Sequence, residues 1–347
     1  MKIKTIPYKG SKRKLLNTIL SISEEIEFES FFDGFSGTGI VSAFMRHKGY
    51  VVSSNDKMPS ASLYTKVFLS GFNQAEVDKH LKVMNGLSGT ADWVTNNYSG
   101  VKRRIVRGTG GTTEERPLGF KRKNALKIDA ARNYVQGLPE SPEKNALIFS
   151  IILASNKVFN NSNDQKSCLK KWTKSALNDI TFEGPTNIRG PLGKSHNGDI
   201  LDLKSPKTDI VYFDPPYTTG VLYDACYHLN DSLYLWDKPD LDHSYAIPRP
   251  KRVTFKKQGI MGGKFYSKKT AKGDFCDLFN LFDCRRIILS YSDAPRNVLT
   301  YEELLEICQE TGTTKIVSKD HKLCMQASSL KKISTDLKEF FFIVDKK

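Results

Sequence analysis

A short apolar stretch that runs straight into a glycine-rich turn constrains the fold of this chain more than any other feature. Residues 31–32 (FF) predict a strand, and residues 33–39 (DGFSGTG) interrupt it at once. Apolar residues at helical spacing then predict a helix over 40–47, and residues 50–53 predict a second strand that runs on to Asp56. Strand, glycine turn, helix, strand and acid in this order are typical of a Rossmann-like, doubly wound α/β sheet.

The glycine turn is a candidate binding loop, because glycine lets a ligand approach the backbone at the start of a helix. Its spacing, GxxGxG, differs from the GxGxxG of dinucleotide enzymes and from the phosphate loop GxxxxGK[ST]. Asp56 ends the next strand, where an acid can accept hydrogen bonds from a ribose diol. Taken alone, the pattern also fits a tight turn with a solvated aspartate.

The second half of the chain supplies more of the same sheet. Further strands are predicted over 210–213, 286–291, 315–317 and 340–344, and further helices over 11–26, 146–154 and 302–310. Between about residues 70 and 194 the alternation of strand and helix is lost. We therefore expect a catalytic α/β domain formed by residues 1–70 and 195–347, with an inserted, basic target-recognition region over 71–194.

The charge of the chain predicts a polyanionic partner. Lys and Arg number 53 against 38 Asp and Glu, a formal net charge of +15. Much of the excess lies in two segments, 102–132 and 249–272, which are candidates for phosphate contacts. A solvated charged surface is the simpler interpretation of either segment, but the overall excess favours nucleic acid, and double-stranded DNA in particular.

Other classes of protein are disfavoured. The most apolar stretch, 146–154, is far shorter than the roughly 20 residues that a membrane span needs, so no membrane partner is expected. The basic N-terminal segment is followed by no apolar core of a secretory signal. The six cysteines include no CxxC pair and no zinc-ligand spacing, which predicts reduced thiols, no metal site and a cytoplasmic location.

The tetrapeptide Asp214-Pro215-Pro216-Tyr217 is the most specific motif in the chain. It follows the apolar stretch 210–213, and therefore lies at the carboxyl end of a predicted strand. Two prolines stiffen the backbone, the aspartate accepts hydrogen bonds and the tyrosine offers a flat stacking surface. Such a group can hold a planar exocyclic amine, although a rigid loop with a surface aromatic would look the same.

Three motifs in order resemble the amino-methylating DNA methyltransferases, specifically the adenine-N6 enzymes of the Dam-like D12 (alpha) class. Residues 6–12 (IPYKGSK) are similar to the N-terminal element of the class, 33–39 to its cofactor loop and 214–217 to its catalytic DPPY motif. Residues 227–229, 264–268 and 287–292 match further blocks. The resemblance covers roughly 4–70 and 195–295, and nothing between about 75 and 190 is matched.

The resemblance implies S-adenosylmethionine as the cofactor and a role for each matched residue. The implied cofactor-binding residues are Tyr8 and Lys12 at the methionine half beside Asp33 and Phe35, the loop glycines Gly37 and Gly39, Asp56 at the ribose, Asp199 at the adenine, and Asp214 near the methyl donor. The implied catalytic residues are Asp214, Pro215, Pro216 and Tyr217, around a flipped target adenine. Neighbouring strands in a doubly wound sheet would let 33–39 and 214–217 converge.

The resulting hypothesis is a site-specific DNA adenine-N6 methyltransferase of a restriction–modification system, with a cognate restriction endonuclease as a possible partner. An RNA adenine-N6 methyltransferase shares the catalytic tetrapeptide and is the nearest alternative. Cytosine-N4 methylation is less favoured, because that group usually has Ser where Asp214 stands. The chain has no Pro-Cys pair for cytosine-C5 chemistry. A non-catalytic nucleic-acid-binding protein would be expected to have lost part of the motifs, and all are intact.

Overall fold

The chain folds into two compact units. The computed structural model describes residues 2–105, 113–161, 164–204, 207–217, 223–251, 264–294, 297–322 and 336–346. The first unit consists of Met1–Tyr8, Gly71–Asn187 and Leu222–Lys257. The second consists of Lys9–Ser70, Ile188–Val221 and Gln258–Lys347.

The helices and strands of the described residues alternate through the second unit. The α-helices are α1 (Leu16–Ser23), α2 (Ile40–His47), α3 (Pro59–Ser70), α4 (Gln74–Gly86), α5 (Trp93–Tyr98), α6 (Arg122–Gln136), α7 (Pro142–Val158), α8 (Lys174–Leu177), α9 (Tyr223–Leu235), α10 (Ala271–Leu281) and α11 (Tyr301–Thr311). The strands are β1 (Ser30–Asp33), β2 (Val51–Asp56), β3 (Val101–Ile105), β4 (Thr113–Pro117), β5 (Lys194–Asn197), β6 (Ile210–Phe213), β7 (Leu241–Asp242), β8 (Arg249–Pro250), β9 (Arg286–Ser292), β10 (Gly312–Lys322) and β11 (Asp336–Lys346). Short 3-10 helices cover Lys12–Lys14, Ile200–Asp202 and Lys264–Tyr266.

The second unit is built on a mostly parallel sheet of seven strands in the order β10-β11-β9-β6-β1-β2-β5. The five strands from β9 to β5 are parallel, whereas β11 pairs antiparallel with both β9 and β10. The central strands are apolar and buried on both faces, as expected of parallel strands covered by helices. The α/β fold predicted from the sequence is confirmed.

The sheet places β1 directly beside β6, with Phe31 opposite Ile210 and Asp33 opposite Tyr212. This pairing confirms the predicted neighbourhood of the two strands. Because the strands are parallel, the segments that follow them emerge at the same edge of the sheet. Aromatic and aliphatic side chains of β6, β9 and β11 pack with those of α10 and α11 in one core cluster, which holds this edge in place.

Two details of the sequence prediction were wrong. The helix predicted over 11–26 is a 3-10 turn over Lys12–Lys14 followed by α1, which ends at Ser23. Acidic residues directly follow that end, where the helix dipole disfavours them. The strand β5 was missed, since its sequence KSHN is polar and carries no strand pattern. It is a short edge strand beside β2, where water solvates one side.

The first unit is mainly helical, with the two-stranded pairs β3–β4 and β7–β8. Its longest helix, α7, begins with a Ser141 N-cap and a proline in its first turn, and is buried along most of its length. It contains the buried helix predicted over 146–154. No helix within the described ranges is both long and apolar enough to cross a bilayer.

Residues 222–257 group with the middle of the chain, through direct hydrogen bonds. The Arg132 guanidinium donates to the Leu233 and Tyr234 carbonyls, and the Gln165 amide donates to the Cys226 carbonyl. The functional division into residues 1–70 with 195–347 and an insertion over 71–194 stays a prediction. Of the two predicted basic segments, residues 106–112 and 252–263 lie outside the described residues.

Candidate active site

The turn after β1 has a backbone that requires glycine. Gly37 and Gly39 have φ angles of 50° and 71°, in the left-handed region that side chains disfavour. A Cβ atom on Gly39 would also lie 2.9 Å from the Thr65 methyl carbon. Phe35, between these glycines and β1, packs its ring edge-on against Phe265 at 5.3 Å. The turn is therefore a fixed structure that leads directly into α2.

Asp56 at the end of β2 is bound to this turn. One carboxylate oxygen accepts the Gly37 amide at 2.7 Å, and the other accepts the Met58 amide at 2.9 Å. Asp199 caps the 3-10 helix Ile200–Asp202 by accepting the Leu201 amide at 3.2 Å, and Lys57 lies 3.5 Å from its other oxygen. Asn55 joins the two regions by donating to the Gly198 carbonyl at 3.2 Å.

Buried acceptor atoms without hydrogen-bond partners line this part of the sheet edge. They are Asp33 Oδ1, Ser36 Oγ and Asn55 Oδ1, all on buried residues. The second oxygen of Asp33 accepts the Ser42 hydroxyl at 2.6 Å. Burial raises the pKa of Asp33 to about 7, against the Ser42 hydrogen bond, and the nearby carboxylates of Asp214 and Asp56 add to the rise. Unpartnered buried acceptors are costly, which indicates a ligand with donors.

Asp214, directly after β6, is paired with a buried lysine. Lys12 Nζ lies 2.8 Å from Asp214 Oδ1 and 3.2 Å from Glu339 Oε1, and Ser290 donates its hydroxyl to the same Glu339 oxygen. Burial raises the pKa of Asp214 to about 6, which Lys12 opposes and Glu339 reinforces. Burial works to lower the pKa of Lys12, but Asp214, Tyr217 and Glu339 together hold it well above its usual value.

The rest of the tetrapeptide is anchored to β9. The Tyr217 hydroxyl accepts the Ser292 amide at 3.2 Å, and its ring centroid lies 4.1 Å from that of Tyr291. The Tyr217 carbonyl accepts the Val298 amide at 2.9 Å. Pro215 is buried and Pro216 half-buried. These contacts fix the position of the tyrosine ring and of the backbone that carries Asp214.

The second unit contains every predicted site residue except Tyr8. Hydrogen bonds join Gly37 to Asp56, and an ion pair joins Lys12 to Asp214. Tyr8 belongs to the first unit, where its ring stacks on Tyr227 with centroids 4.4 Å apart. Its cofactor role, like the roles of the other site residues, stays a prediction.

A family comparison gives this arrangement its context. The family model of the D12 class N6 adenine-specific DNA methyltransferases matches residues 8–244. This match covers more than half of the chain and includes both the glycine turn and the DPPY tetrapeptide. The chain belongs to the D12 class of N6 adenine-specific DNA methyltransferases.

The D12-class chain is also similar to curated modification enzymes. It is 25% identical to the modification methylase LlaI of Lactococcus lactis subsp. lactis, over 89% of this chain and 49% of that protein. It is 26% identical to the type II methyltransferase M.CviAII of Paramecium bursaria Chlorella virus 1, over 98% of each chain. The modification methylase StsI of Streptococcus sanguinis is 26% identical over 89% of this chain and 47% of that protein. The chain thus spans about half the length of LlaI and StsI, and nearly all of M.CviAII.

Among solved structures, the chain is similar to a magnesium protoporphyrin IX methyltransferase from Synechocystis PCC 6803 with bound SAM. The identity is 9% and the TM-score 0.35, over 96% of this chain and 79% of that chain. A similarity this low supports no argument about the D12-class chain.

The donor and acceptor chemistry of the turn fits the cofactor that the D12 class implies. S-adenosylmethionine carries an ammonium group, a sulfonium and ribose hydroxyls, which are cationic groups or hydrogen-bond donors. The unpartnered oxygens of Asp33, Ser36 and Asn55 are acceptors in a region that already holds three carboxylates, Asp33, Asp56 and Asp214. Acceptors of this kind match a cationic ligand and would repel an anionic one.

Two residues of the D12-class site were missed by sequence reasoning. Glu339 precedes the apolar run 340–344 and looks like an ordinary polar residue at a strand end, yet it is only 2% exposed. Ser290 lies within a matched block, but no role was predicted for it. The single signal for Glu339 is a charged residue adjoining a strongly apolar strand, which is too common to identify a site.

Proposed function

We propose that the chain is a site-specific DNA methyltransferase that transfers a methyl group from S-adenosylmethionine to N6 of adenine in double-stranded DNA. The observation that carries the proposal is the position of Asp214. It stands at the end of β6, in a DPPY tetrapeptide, beside the β1 strand that ends in the glycine turn. Membership of the D12 class supports the same reaction.

The residues of the glycine turn and its neighbours would hold the cofactor. Asp56, whose carboxylate is already oriented by Gly37, would accept the ribose hydroxyls, and Asp199 would contact the adenine. The free oxygen of Asp33 would accept the ammonium group, beside Phe35, and the resemblance adds Tyr8 and Lys12 at the methionine half. When bound, S-adenosylmethionine supplies an electrophilic methyl group, whose transfer to an amine leaves a neutral sulfur and releases one proton.

Asp214, Pro215 and Tyr217 would hold the target base. The Asp214 carboxylate and the Pro215 carbonyl would accept the two N–H bonds of the amine, while the base lies on Tyr217. The amine becomes positively charged as it is methylated, so an ionised Asp214 stabilises the product side of the reaction more than the reactant side. Since the pKa of Asp214 is raised to about 6, this contribution requires a pH above that value.

DNA binding and sequence recognition would draw on the charge of the chain and on its first unit. The net charge of +15 suits phosphate contacts. The amine of a paired adenine lies inside the duplex, so the base must be flipped out to reach Asp214. The curated relatives are named modification or type II methyltransferases, which supports a restriction–modification role with a cognate endonuclease as partner. We assign base reading to the unit that contains residues 71–187.

The direct test is to produce the protein in a bacterial host that lacks DNA methylation and to sequence the genomic DNA with a method that detects modified bases. We expect N6-methyladenine at one short recurring sequence. The matched control is Asp214→Ala, which should produce soluble protein and unmodified DNA. Unmodified DNA with soluble wild-type protein would reject the DNA substrate, and the same preparation would then be assayed on structured RNA.

A further inference from the structure

Glu339 is the most deeply buried acidic group that the proposed reaction does not yet use. It lies on β11, and its carboxylate contacts Lys12 at 3.2 Å and receives the Ser290 hydroxyl. Only 2% of Glu339 is exposed, and Lys12 is 5% exposed. The carboxylate is therefore removed from water and held from two sides.

The sheet order explains how Glu339 comes to the site. β9 lies between β6 and β11, and Leu289 pairs with Phe213 while Phe341 pairs with Ser290. Ser290 therefore lies across the sheet between the strand that leads to Asp214 and the strand that carries Glu339. Lys12 reaches both carboxylates from the 3-10 turn Lys12–Lys14.

The second carboxylate is not needed to neutralise Asp214. One buried lysine and one buried carboxylate already balance each other, and a further buried ion costs several kcal/mol of desolvation. With Lys12 charged and both carboxylates ionised, the cluster has a net charge of −1. A lysine shared between two carboxylates is fixed in position but neutralises neither fully, which leaves Asp214 a stronger hydrogen-bond acceptor for a developing cation.

We propose that Glu339 is a positioning residue, which holds Lys12 in a shared ion pair so that the Asp214 carboxylate is fixed in place and keeps its negative charge for the target amine. The inference rests on the proposed methyl transfer and deepens it. Ser290 acts one step further back by orienting Glu339. Neither residue touches the substrate in this scheme.

The charged and titratable groups that act on the cluster are few enough to predict a pH effect. Lys12 and Glu339 act directly on Asp214, which in turn acts on Asp33; Tyr212 and Tyr217 complete the set around Lys12. Lys12 lowers the pKa of Asp214 and Glu339 raises it. Removing the Glu339 charge should therefore lower the pKa of Asp214.

The test compares Glu339→Gln with a matched carboxylate-to-amide change on the same strand, Asp345→Asn. Asp345 pairs with Arg286 at 2.7 Å and has no contact with Lys12 or Asp214 among those described. We expect Glu339→Gln to lower kcat about 10- to 100-fold with KM for DNA and cofactor within about twofold. The acidic limb of its pH–kcat profile should move to lower pH. Asp345→Asn should keep the wild-type kcat and profile.

A second variant covers the case in which Glu339→Gln does not fold. Ser290→Ala keeps all three charges and removes only the hydroxyl that orients Glu339, so we expect a fall in kcat of about fivefold with unchanged KM. Wild-type kcat and pH profile in a folded Glu339→Gln protein, or wild-type kcat in Ser290→Ala, would overturn the positioning role alone. A wild-type protein that methylates no DNA would overturn the proposed function and this inference together.

Discussion

The backbone amide of Gly37 donates a 2.7 Å hydrogen bond to the carboxylate of Asp56. This bond links the turn after β1 to the end of β2, and the second carboxylate oxygen is tied to the Met58 amide. The orientation of Asp56 is therefore set by backbone donors of the chain itself. A ligand that uses this carboxylate meets a group that is already immobile, which reduces the entropy lost on binding.

Asp56→Ala should weaken cofactor binding more than turnover. Loss of a ribose acceptor and of the bond to Gly37 predicts a rise in Kd for S-adenosylmethionine of about tenfold, or 1.4 kcal/mol, with kcat at saturating cofactor within about threefold. Isothermal titration calorimetry and saturation kinetics measure the two effects. Asp202→Asn, on the exposed side of the neighbouring 3-10 helix, is the control. An unchanged Kd would remove Asp56 from the cofactor site.

Asp214→Asn should abolish most methyl transfer while the protein still binds DNA. The amide can donate where the carboxylate only accepts, and it carries no charge to stabilise the methylated amine, so kcat should fall about 100- to 1000-fold. Incorporation of a labelled methyl group into DNA measures activity, and fluorescence anisotropy measures binding. Asp283→Asn, an exposed aspartate near β9, should behave as wild type. Activity that survives in Asp214→Asn would refute the catalytic assignment.

Asp33→Asn should stabilise the protein at neutral pH but not in acid. Burial raises the pKa of Asp33 from 3.8 to about 7, so the folded state binds its proton more tightly than the unfolded state does. The favourable contribution of this group is complete below its unfolded pKa and is lost as the pH rises through about 7. Wild type should therefore lose stability relative to Asp33→Asn between about pH 4 and pH 7, by roughly 2–4 kcal/mol.

Urea denaturation of both proteins without cofactor, at pH 5 and pH 8, tests this difference. Ser42→Ala serves as the comparison, because it removes the hydroxyl that Asp33 accepts and leaves the carboxyl group in place. A constant difference between Asp33→Asn and wild type across this range would mean that Asp33 does not titrate there.

Lys12→Met should be strongly destabilising, and Glu339→Gln should partly correct it. Removing the lysine leaves two buried carboxylates, Asp214 and Glu339, without their cation, which predicts a loss of about 3–5 kcal/mol. The double variant has one uncompensated carboxylate fewer and should be more stable than Lys12→Met alone. Urea denaturation of the two single variants and the double variant gives the coupling energy. Simple additivity would show that the two residues do not interact.

The sequence predicted the central strands well because their signals are local. β1 is an apolar stretch ended by Asp33 and Gly34, α2 matches its apolar spacing over Ile40–His47, and β6 is four apolar residues before Asp214. In each case the residues that define the element are adjacent in the chain. Their neighbourhood in the sheet followed from the general rules of α/β folds.

The features that were missed depend on partners far away in the sequence. β5 is a strand because it pairs with β2, and nothing in the letters KSHN requires it. Glu339 gains its surroundings from the antiparallel pairing of β11 with β9, and its partner Lys12 lies near the other end of the sequence. Side-chain contacts of this kind depend on tertiary structure, which a periodic pattern of apolar residues does not describe.

The ion-pair cluster of Lys12, Asp214 and Glu339 also has a consequence for synthesis on the ribosome. The chain grows from its N-terminus, so Lys12 and Asp214 leave the exit tunnel long before Glu339 does. Contacts between residues so distant in sequence form late and slowly, because the intervening segments must be ordered first. A nascent chain would therefore gain a competent Asp214 only after β11 had inserted beside β9. Methylation by this enzyme would begin only after its own translation had passed that strand.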